Sequence, residues 1–578
     1  MKLSAGISLL LTVTLASTVA VAQIQPGTFK HVVIVFQENR TPDNLFGSSP
    51  AAHLGCGIED PFETGVDIEN GGPNDKAGQP NPTCNVSTPL GSSCDPNHIH
   101  QSFQNMYHGG AMDGACSTST QWCDPNVACP QYAYVPKTDV QPYFDIATNY
   151  GFANYFFQTN EGPSFPAHQF IFSGTSAPDY YGNANQICGT GTECYKWFAA
   201  DNPEGQRIYR PGDHTGCTAP ANEFVRLIDP SGVEKSSTFC QNNVGNKYCL
   251  APCYEHAPSP YTYGTLGDLL LNQTVSWKYY TPMIDPNTGN IESGLWVAPI
   301  AIKHLCGAGY NSQHQYVCLN LLPGGTYANN MRYETTANPY PLVDDINNCS
   351  LPAVSWAIPD KRWSDHGGDE PLGLGPAYVA NIVNAIGGSP CTDGTNGPTY
   401  WQDTAILIVW DDWGGWFDHV NPNPYPGVNQ QQGTWGAYYT YGFRVPMMVV
   451  SAYTGVKNQD GTYSGYVSGA CGGSSQPTCP NLNAPFVHDF GSILAFIEWN
   501  FGITIGSIGQ GYPFADNYAP EYYPNHSYVP LLDFFPLTQA RTFVPIAVPT
   551  PYSVNYFQNY FTNNPSEIPD GPDANDND

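Results

Sequence analysis

His31-Val-Val-Ile-Val-Phe-Gln-Glu-Asn-Arg40 is the stretch on which the reading of this chain turns. Residues 31–36 are rich in Val, Ile and Phe without polar alternation, the pattern of a strand covered on both faces. Gln37, Glu38, Asn39 and Arg40 follow at once. In open α/β sheets, ligands bind beyond the carboxyl ends of the strands. The stretch therefore reads as a buried strand that delivers polar groups to a sheet edge.

Residues 275–280, 354–358, 404–410 and 445–451 have the same character and read as further buried parallel strands. Helices are expected over 376–386, stopping at Gly387-Gly388, and over 492–500, the latter amphipathic. Alternating strands and helices over this length indicate an α/β sandwich with a largely parallel sheet. Two more strands end in chemistry. Residues 404–410 run into Asp411-Asp412, and residues 354–358 lead to Asp360 and then Ser364-Asp365-His366. Any one such acid serves equally well as a cap of the next turn. Several together repel one another unless a cation holds them. Ligands this rich in oxygen suit Mg²⁺, Ca²⁺ or Mn²⁺, with Zn²⁺ or Fe admitted if a histidine joins.

The formal net charge is −30, from 19 basic and 49 acidic residues. Such a surface repels nucleic acid and gains little from an anionic membrane, so membrane contact is at most transient. Phosphate chemistry here needs local positive charge, and a bound divalent metal ion is the obvious source. With 12% charged and 13% aromatic residues the chain reads as globular and loop-rich.

Lys2, the apolar run 7–19 and Ala20-Val21-Ala22 before Gln23 read as an export signal over residues 1–22. All 18 cysteines lie between Cys56 and Cys479, enough for up to nine disulfides, and point to a secreted or periplasmic protein. Close pairs such as Cys188/Cys194, Cys249/Cys253 and Cys471/Cys479 read as loop staples, since Cys-x-x-Cys zinc units are missing. Segments 47–141 and 186–263 read as ordered, disulfide-bearing insertions in a catalytic domain over 23–562. Residues 563–578 form an acidic tail without a core pattern and are expected to be disordered.

The stretch 31–47 is similar to the opening signature of the phosphoesterase family that contains bacterial phospholipases C and the respiratory-burst-inhibiting acid phosphatases. Three further blocks resemble the family in order: Glu161-Gly-Pro-Ser-Phe-Pro-Ala-His-Gln169 running on to Ser173-Gly-Thr175, then Ser364-Asp-His366, then Trp410-Asp-Asp-Trp-Gly-Gly-Trp-Phe-Asp-His-Val420. The shared core is expected to continue to about Phe501. The resemblance implies an alkaline-phosphatase-like, three-layer α/β/α sandwich with long insertions. It implies metal ligation by Glu38 and Asn39 and by Asp411 and Asp412. Ser164 matches the nucleophile, itself bound to the metal, where the family carries serine or threonine. His98 and His366 match histidines that surround the phosphate, and His419 matches the family's Asp-His-Val element.

These roles are chemically intelligible. A serine hydroxyl is a poor nucleophile until a divalent ion lowers its pKa, and an imidazole titrates where it can protonate a departing alcohol. Without the resemblance, Ser164 reads as a turn residue between prolines, and His98 and His366 as ordinary hydrogen-bonded histidines. Arg40 is either an ion-pair partner or a phosphate contact, and Asp43 and Asp113 are either supporting or capping groups. Departures from the family pattern are Pro166-Ala-His168, where many relatives carry Pro-Asn-Arg, and Asp365 and Asp412, where glutamate is common. The function expected is a secreted, metal-dependent phosphoric ester hydrolase of the phospholipase C or acid phosphatase type, acting through a phosphoserine on a small phosphate ester or a phospholipid headgroup. Two other readings are an aromatic-rich secreted binding protein with a structural metal, and a sulfatase. The latter lacks its Cys-x-Pro-x-Arg maturation motif.

Overall fold

The run beginning at His31 forms β1 (His31–Gln37), buried at every position. It belongs to a computed structural model that describes residues 24–46, 87–178 except 128, 197–204, 215–255 except 230, 441–468, 488–503 and 531–565. The model also describes 265–422 except 286–287, 369–371, 393, 395–396 and 419. The expected export signal, His419, Cys188/Cys194, Cys471/Cys479 and residues 566–578 lie outside the described residues.

The other strands of the central sheet are β2 (Gly151–Ala153), β3 (Trp277–Thr281), β4 (Met331–Tyr333), β5 (Val354–Ala357), β6 (Thr404–Trp410), β7 (Met447–Ser451) and β8 (Tyr466–Ser468). They form an eight-stranded sheet in the order β4-β3-β5-β1-β6-β7-β2-β8. β1 pairs in parallel with β5 on one side and β6 on the other. The five apolar runs read from the sequence are all strands, but the expected parallel direction fails for 445–451. β7 runs antiparallel to both β6 and β2. A strand covered on both faces is apolar in either direction, so its composition reports burial and says nothing of orientation.

Helices α1 (Gln141–Asn149), α2 (Ser164–Ser173), α3 (Gly375–Gly387) and α4 (Phe490–Asn500) pack in pairs, α1 with α3 and α2 with α4. α3 starts with Pro376 in its first turn, where the missing N–H costs nothing. α4 departs from the amphipathic expectation: every residue except Trp499 is buried. Its apolar side chains, among them Phe490, Ile493, Leu494, Phe496 and Ile497, surround the axis, so no polar face is left. Asp489 caps it by accepting from the Ser492 amide at 2.9 Å. Among the described residues no helix is long and apolar enough to cross a membrane.

The structure carries disulfides Cys94–Cys123, Cys116–Cys129, Cys217–Cys253, Cys240–Cys249, Cys306–Cys318 and Cys349–Cys391. The expected Cys249/Cys253 staple is therefore wrong. Cys249 lies on a short strand, Cys249–Leu250, and faces a small core of Phe224 and Cys240. Beyond it, Tyr254 bridges to Ile302, which carries Cys253 away to Cys217.

Candidate active site

Strand register brings the first acids together. Gln37 of β1 lies opposite Trp410 of β6, so the next residues, Glu38 and Asp411, leave the sheet edge side by side. The chain then turns sharply at Asn39, whose φ of 58° is one that few residues other than glycine and asparagine adopt. This turn points the Asn39 amide at Asp411 Oδ1, to which it donates at 2.9 Å. Gly414 presses on the same turn. A Cβ there would sit 2.3 Å from the Asn39 carbonyl oxygen, so no larger residue fits.

Ser164 opens α2 and is fully buried. Its hydroxyl donates to Asp412 Oδ2 at 3.1 Å. The loop before it is held by Gln158, whose amide donates to the Asn160 and Gly162 carbonyls at 2.8 and 3.1 Å. The same side chain accepts from the Trp413 amide at 2.9 Å, tying the serine loop to the Asp411-Asp412 segment. The Phe165 amide donates to Asn202 at 2.7 Å, which satisfies one of the orphan donors of the helix start.

One turn along α2 stands His168, a residue that motif matching left only as a departure. Residues four apart share a helix face, so His168 enters the site with Ser164. Its Nε2 lies 3.2 and 3.4 Å from the Glu38 carboxylate oxygens and 3.7 Å from Asp411 Oδ2. The ring stacks on Phe36. Spacing on a helix could have revealed it. Glu38, His168 and Asp411 offer ligand atoms that all lie within 4.8 Å of one another. Asp411 Oδ2 and Asn39 Oδ1 are buried without a hydrogen-bond partner. Three fully buried carboxylates, Glu38, Asp411 and Asp412, thus meet orphaned oxygens at one point. That donor set fits a divalent cation, with the imidazole widening the choice toward Zn²⁺, Mn²⁺ or Fe. Burial works against the charge on Asp411, but hydrogen bonds it accepts from Glu38, Ser164 and the Asn39 amide, with the His168 ring beside it, hold its pKa below the usual value. Burial outweighs the pull of Asp411 on His168 and takes the imidazole down to about 4, so the ring is neutral and able to ligate.

His98 sits beside Asn39: its Nε2 is 3.1 Å from the Asn39 side-chain amide and its Nδ1 2.9 Å from the Pro96 carbonyl. The carbonyl can only accept, which assigns the proton to Nδ1 and leaves Nε2 to accept from Asn39. The His366 ring lies 6.1 Å from that of His98, centroid to centroid, with its Nδ1 2.6 Å from the Gly367 carbonyl. Ser164, Glu38, Asn39, Asp411, Asp412, His98 and His366 therefore share one neighbourhood. Arg40 turns out to be structural. Its guanidinium donates to the Asp365 carbonyl at 2.9 and 2.7 Å and to Asn44 at 3.1 Å, fixing the loop that ends in His366. Asp365 accepts from Tyr143 at 2.8 Å and Trp410 at 3.1 Å, and burial raises its pKa to about 7. Asp360 caps the turn Lys361–Trp363, Asp43 pairs with Arg444 at 3.2 Å, and Asp113 pairs with His108 at the periphery.

A buried ionic cluster braces the two loops that carry His98 and Ser164. His100 lies 2.8 Å from Glu161 and 2.6 Å from Glu234, and its amide donates to Asp201. Arg226 pairs with Asp201, Glu204 and Glu234. Burial alone would lower the His100 pKa, but hydrogen bonds to Glu161 and Glu234 outweigh it and raise it to about 10. His304, between Asp268 and Glu255, is likewise raised to about 10 against its burial. A histidine raised in this way contributes stability that is complete below its ordinary 6.5 and is lost as pH climbs through the raised value. The melting temperature is therefore expected to fall steadily from about pH 7 to about pH 10, with a shallower slope in His100→Gln. A flat profile in the wild type would refute this.

Residues 29–504 match the model of the Phosphoesterase family, most of the chain. The chain belongs to that family. It is 29% identical over 227 residues to the non-hemolytic phospholipase C of Burkholderia pseudomallei, covering 35% of this chain and 30% of that protein. It is 22% identical over 453 residues to phospholipase C B of Mycobacterium tuberculosis, covering 74% of this chain and 68% of that protein. Family membership and these relatives support a phosphoric ester hydrolase.

Proposed function

We propose that this chain is a secreted or periplasmic, metal-dependent phosphoric ester hydrolase of the phospholipase C and acid phosphatase type that works through a phosphoserine at Ser164. The observation that carries this reading is the contact of the Ser164 hydroxyl with Asp412, next to Asp411, which accepts from Asn39. A hydroxyl, an amide and the acids of two distant segments, Glu38 and Asp411-Asp412, converge there, all buried. The alkaline-phosphatase-like three-layer core is part of the same proposal, supported by strands buried on both faces and by the two packed helix pairs. The six disulfides among the described residues support an oxidising compartment.

Glu38, Asn39, Asp411 and Asp412, joined by His168, are the residues that would hold one divalent ion. Such an ion supplies positive charge that acidifies the serine hydroxyl and screens the phosphoryl oxygens. The rest falls to the chain itself. Asp412 orients the Ser164 hydroxyl and is placed to receive its proton as the oxygen attacks phosphorus. His98 turns Asn39 so that its side-chain oxygen remains available. His366, anchored through Nδ1, takes the role of acid toward the leaving alcohol, and water then releases phosphate from the serine.

Chelation followed by metal analysis tests the reading. Removing the bound ion is expected to lower the rate on the order of 10²-fold or more, with a drop in melting temperature because a ligand bound only by the folded state is lost. One equivalent of a divalent cation should restore both. Full activity in a metal-free preparation would end the proposal. Comparing p-nitrophenyl phosphate with p-nitrophenylphosphorylcholine separates a monoesterase from a phospholipase C.

A further inference from the structure

Among the described residues, buried indole N–H groups differ in whether they find an acceptor. The indole N–H groups of Trp277, Trp356, Trp401 and Trp410 each donate to an oxygen. Those of Trp296 and Trp413 are buried and meet no acceptor. A buried indole nitrogen normally finds a partner, because leaving it unpaired forfeits its hydration without return. These two exceptions are not scattered. The Trp413 ring lies 6.0 Å from His98 and the Trp296 ring 5.7 Å from His366. The rings follow one another as Trp413, His98, His366 and Trp296, with His98 touching Asn39.

Both residues also sit next to the segment that carries Ser164. The Trp413 amide is held by Gln158, which holds the Gly162 carbonyl, and the short turn Gly294–Trp296 packs on α2. The charge balance of the site says what unpaired donors are for. Glu38, Asp411 and Asp412 bring three buried carboxylates. Arg40 gives its guanidinium to Asp365 and Asn44, and Arg444 gives its own to Asp418, Asp43 and Asn154. With both guanidiniums engaged, N–H donors beside the site would supplement the cation in sharing the charge of an incoming phosphoryl group.

We infer that Trp296 and Trp413 form a phosphoryl-oxygen subsite, each indole N–H donating to an oxygen of the bound phosphoryl group at one end of the His98–His366 pair. This rests on the phosphoric ester hydrolase reading and adds two residues to it that bind substrate without taking part in proton transfer.

Calorimetric titration with inorganic phosphate, on protein loaded with the activating cation, tests the subsite directly. Trp296→Phe and Trp413→Phe keep an aromatic ring and remove the N–H. Each is expected to weaken phosphate binding about 10-fold, the scale of a hydrogen bond to a charged acceptor. Trp401→Phe is the control, losing a satisfied N–H elsewhere in the core. It should lower the melting temperature at least as much while leaving phosphate affinity within about two-fold. If a phenylalanine variant does not fold, benzothienylalanine at that position keeps the bicyclic shape and replaces only the N–H. Phosphate affinity unchanged in either variant, or weakened equally by Trp401→Phe, overturns the subsite. A wild type that binds no phosphate even with cation present would instead defeat the hydrolase reading itself.

Discussion

Ser164→Ala is expected to lower kcat on the order of 10⁴-fold or more, the scale seen when a covalent nucleophile is removed and only binding and electrostatic stabilisation remain. The fold should survive. The Ser164 hydroxyl bonds only to acids of the site, Asp412 and Asp411, and the start of α2 is held independently by Asn202 at the Phe165 amide and by Gln158 at the loop before it. The melting temperature should therefore stay within a few degrees of wild type. Rapid quenching of the wild type with substrate, followed by peptide mass mapping, should find phosphate on Ser164. The alanine variant should carry none. Substantial turnover by Ser164→Ala, or phosphate trapped on a different residue, would refute the assignment of the nucleophile.

Arg444→Ala is expected to be the most damaging substitution outside the site. The guanidinium is fully buried and bonds Asp418 at 3.0 Å, Asp43 at 3.2 Å and the Asn154 carbonyl at 3.0 Å. It thereby joins the chain after β1, the loop after Asp412 and the strand end of β2. Removing one partner of a buried ion pair leaves the others charged and unsolvated, at a cost of about 3–5 kcal/mol. The replacement also leaves a cavity where the long side chain lay. Because both aspartates flank the segments bearing Asn39 and Asp412, activity should fall along with stability. Chemical denaturation of the two proteins measures the loss directly, and a difference below about 1 kcal/mol would mean that these aspartates are rescued by other groups.

Much of this was legible in the sequence because it depends on local pattern. An uninterrupted apolar run followed by acids or amides says that a buried strand ends in polar groups. Two such runs in parallel register place those ends together, as Gln37 opposite Trp410 places Glu38 beside Asp411. The assignment of Glu38, Asn39, Asp411 and Asp412 as ligands and of Ser164 as nucleophile comes from the resemblance to the phosphoesterase family, since local pattern alone leaves Ser164 a turn residue. His168 was within reach through its helical spacing from Ser164, but a motif comparison treats it as a mismatch rather than as a neighbour. The antiparallel course of β7 and the Cys217–Cys253 and Cys240–Cys249 pairings were out of reach.

Periodicity and composition are properties of neighbours along the chain, so they dictate which segments are buried, where those segments end in polar groups and which residue types the ends offer. It takes the packed fold to show that Arg444 answers Asp43 and Asp418, that Arg40 serves the His366 loop, that His168 faces Glu38, and that Trp296 and Trp413 stand unpaired beside two histidines. A buried charge or donor takes whichever partner the packing brings within about 3 Å, and residues hundreds of positions apart leave no local trace of that meeting.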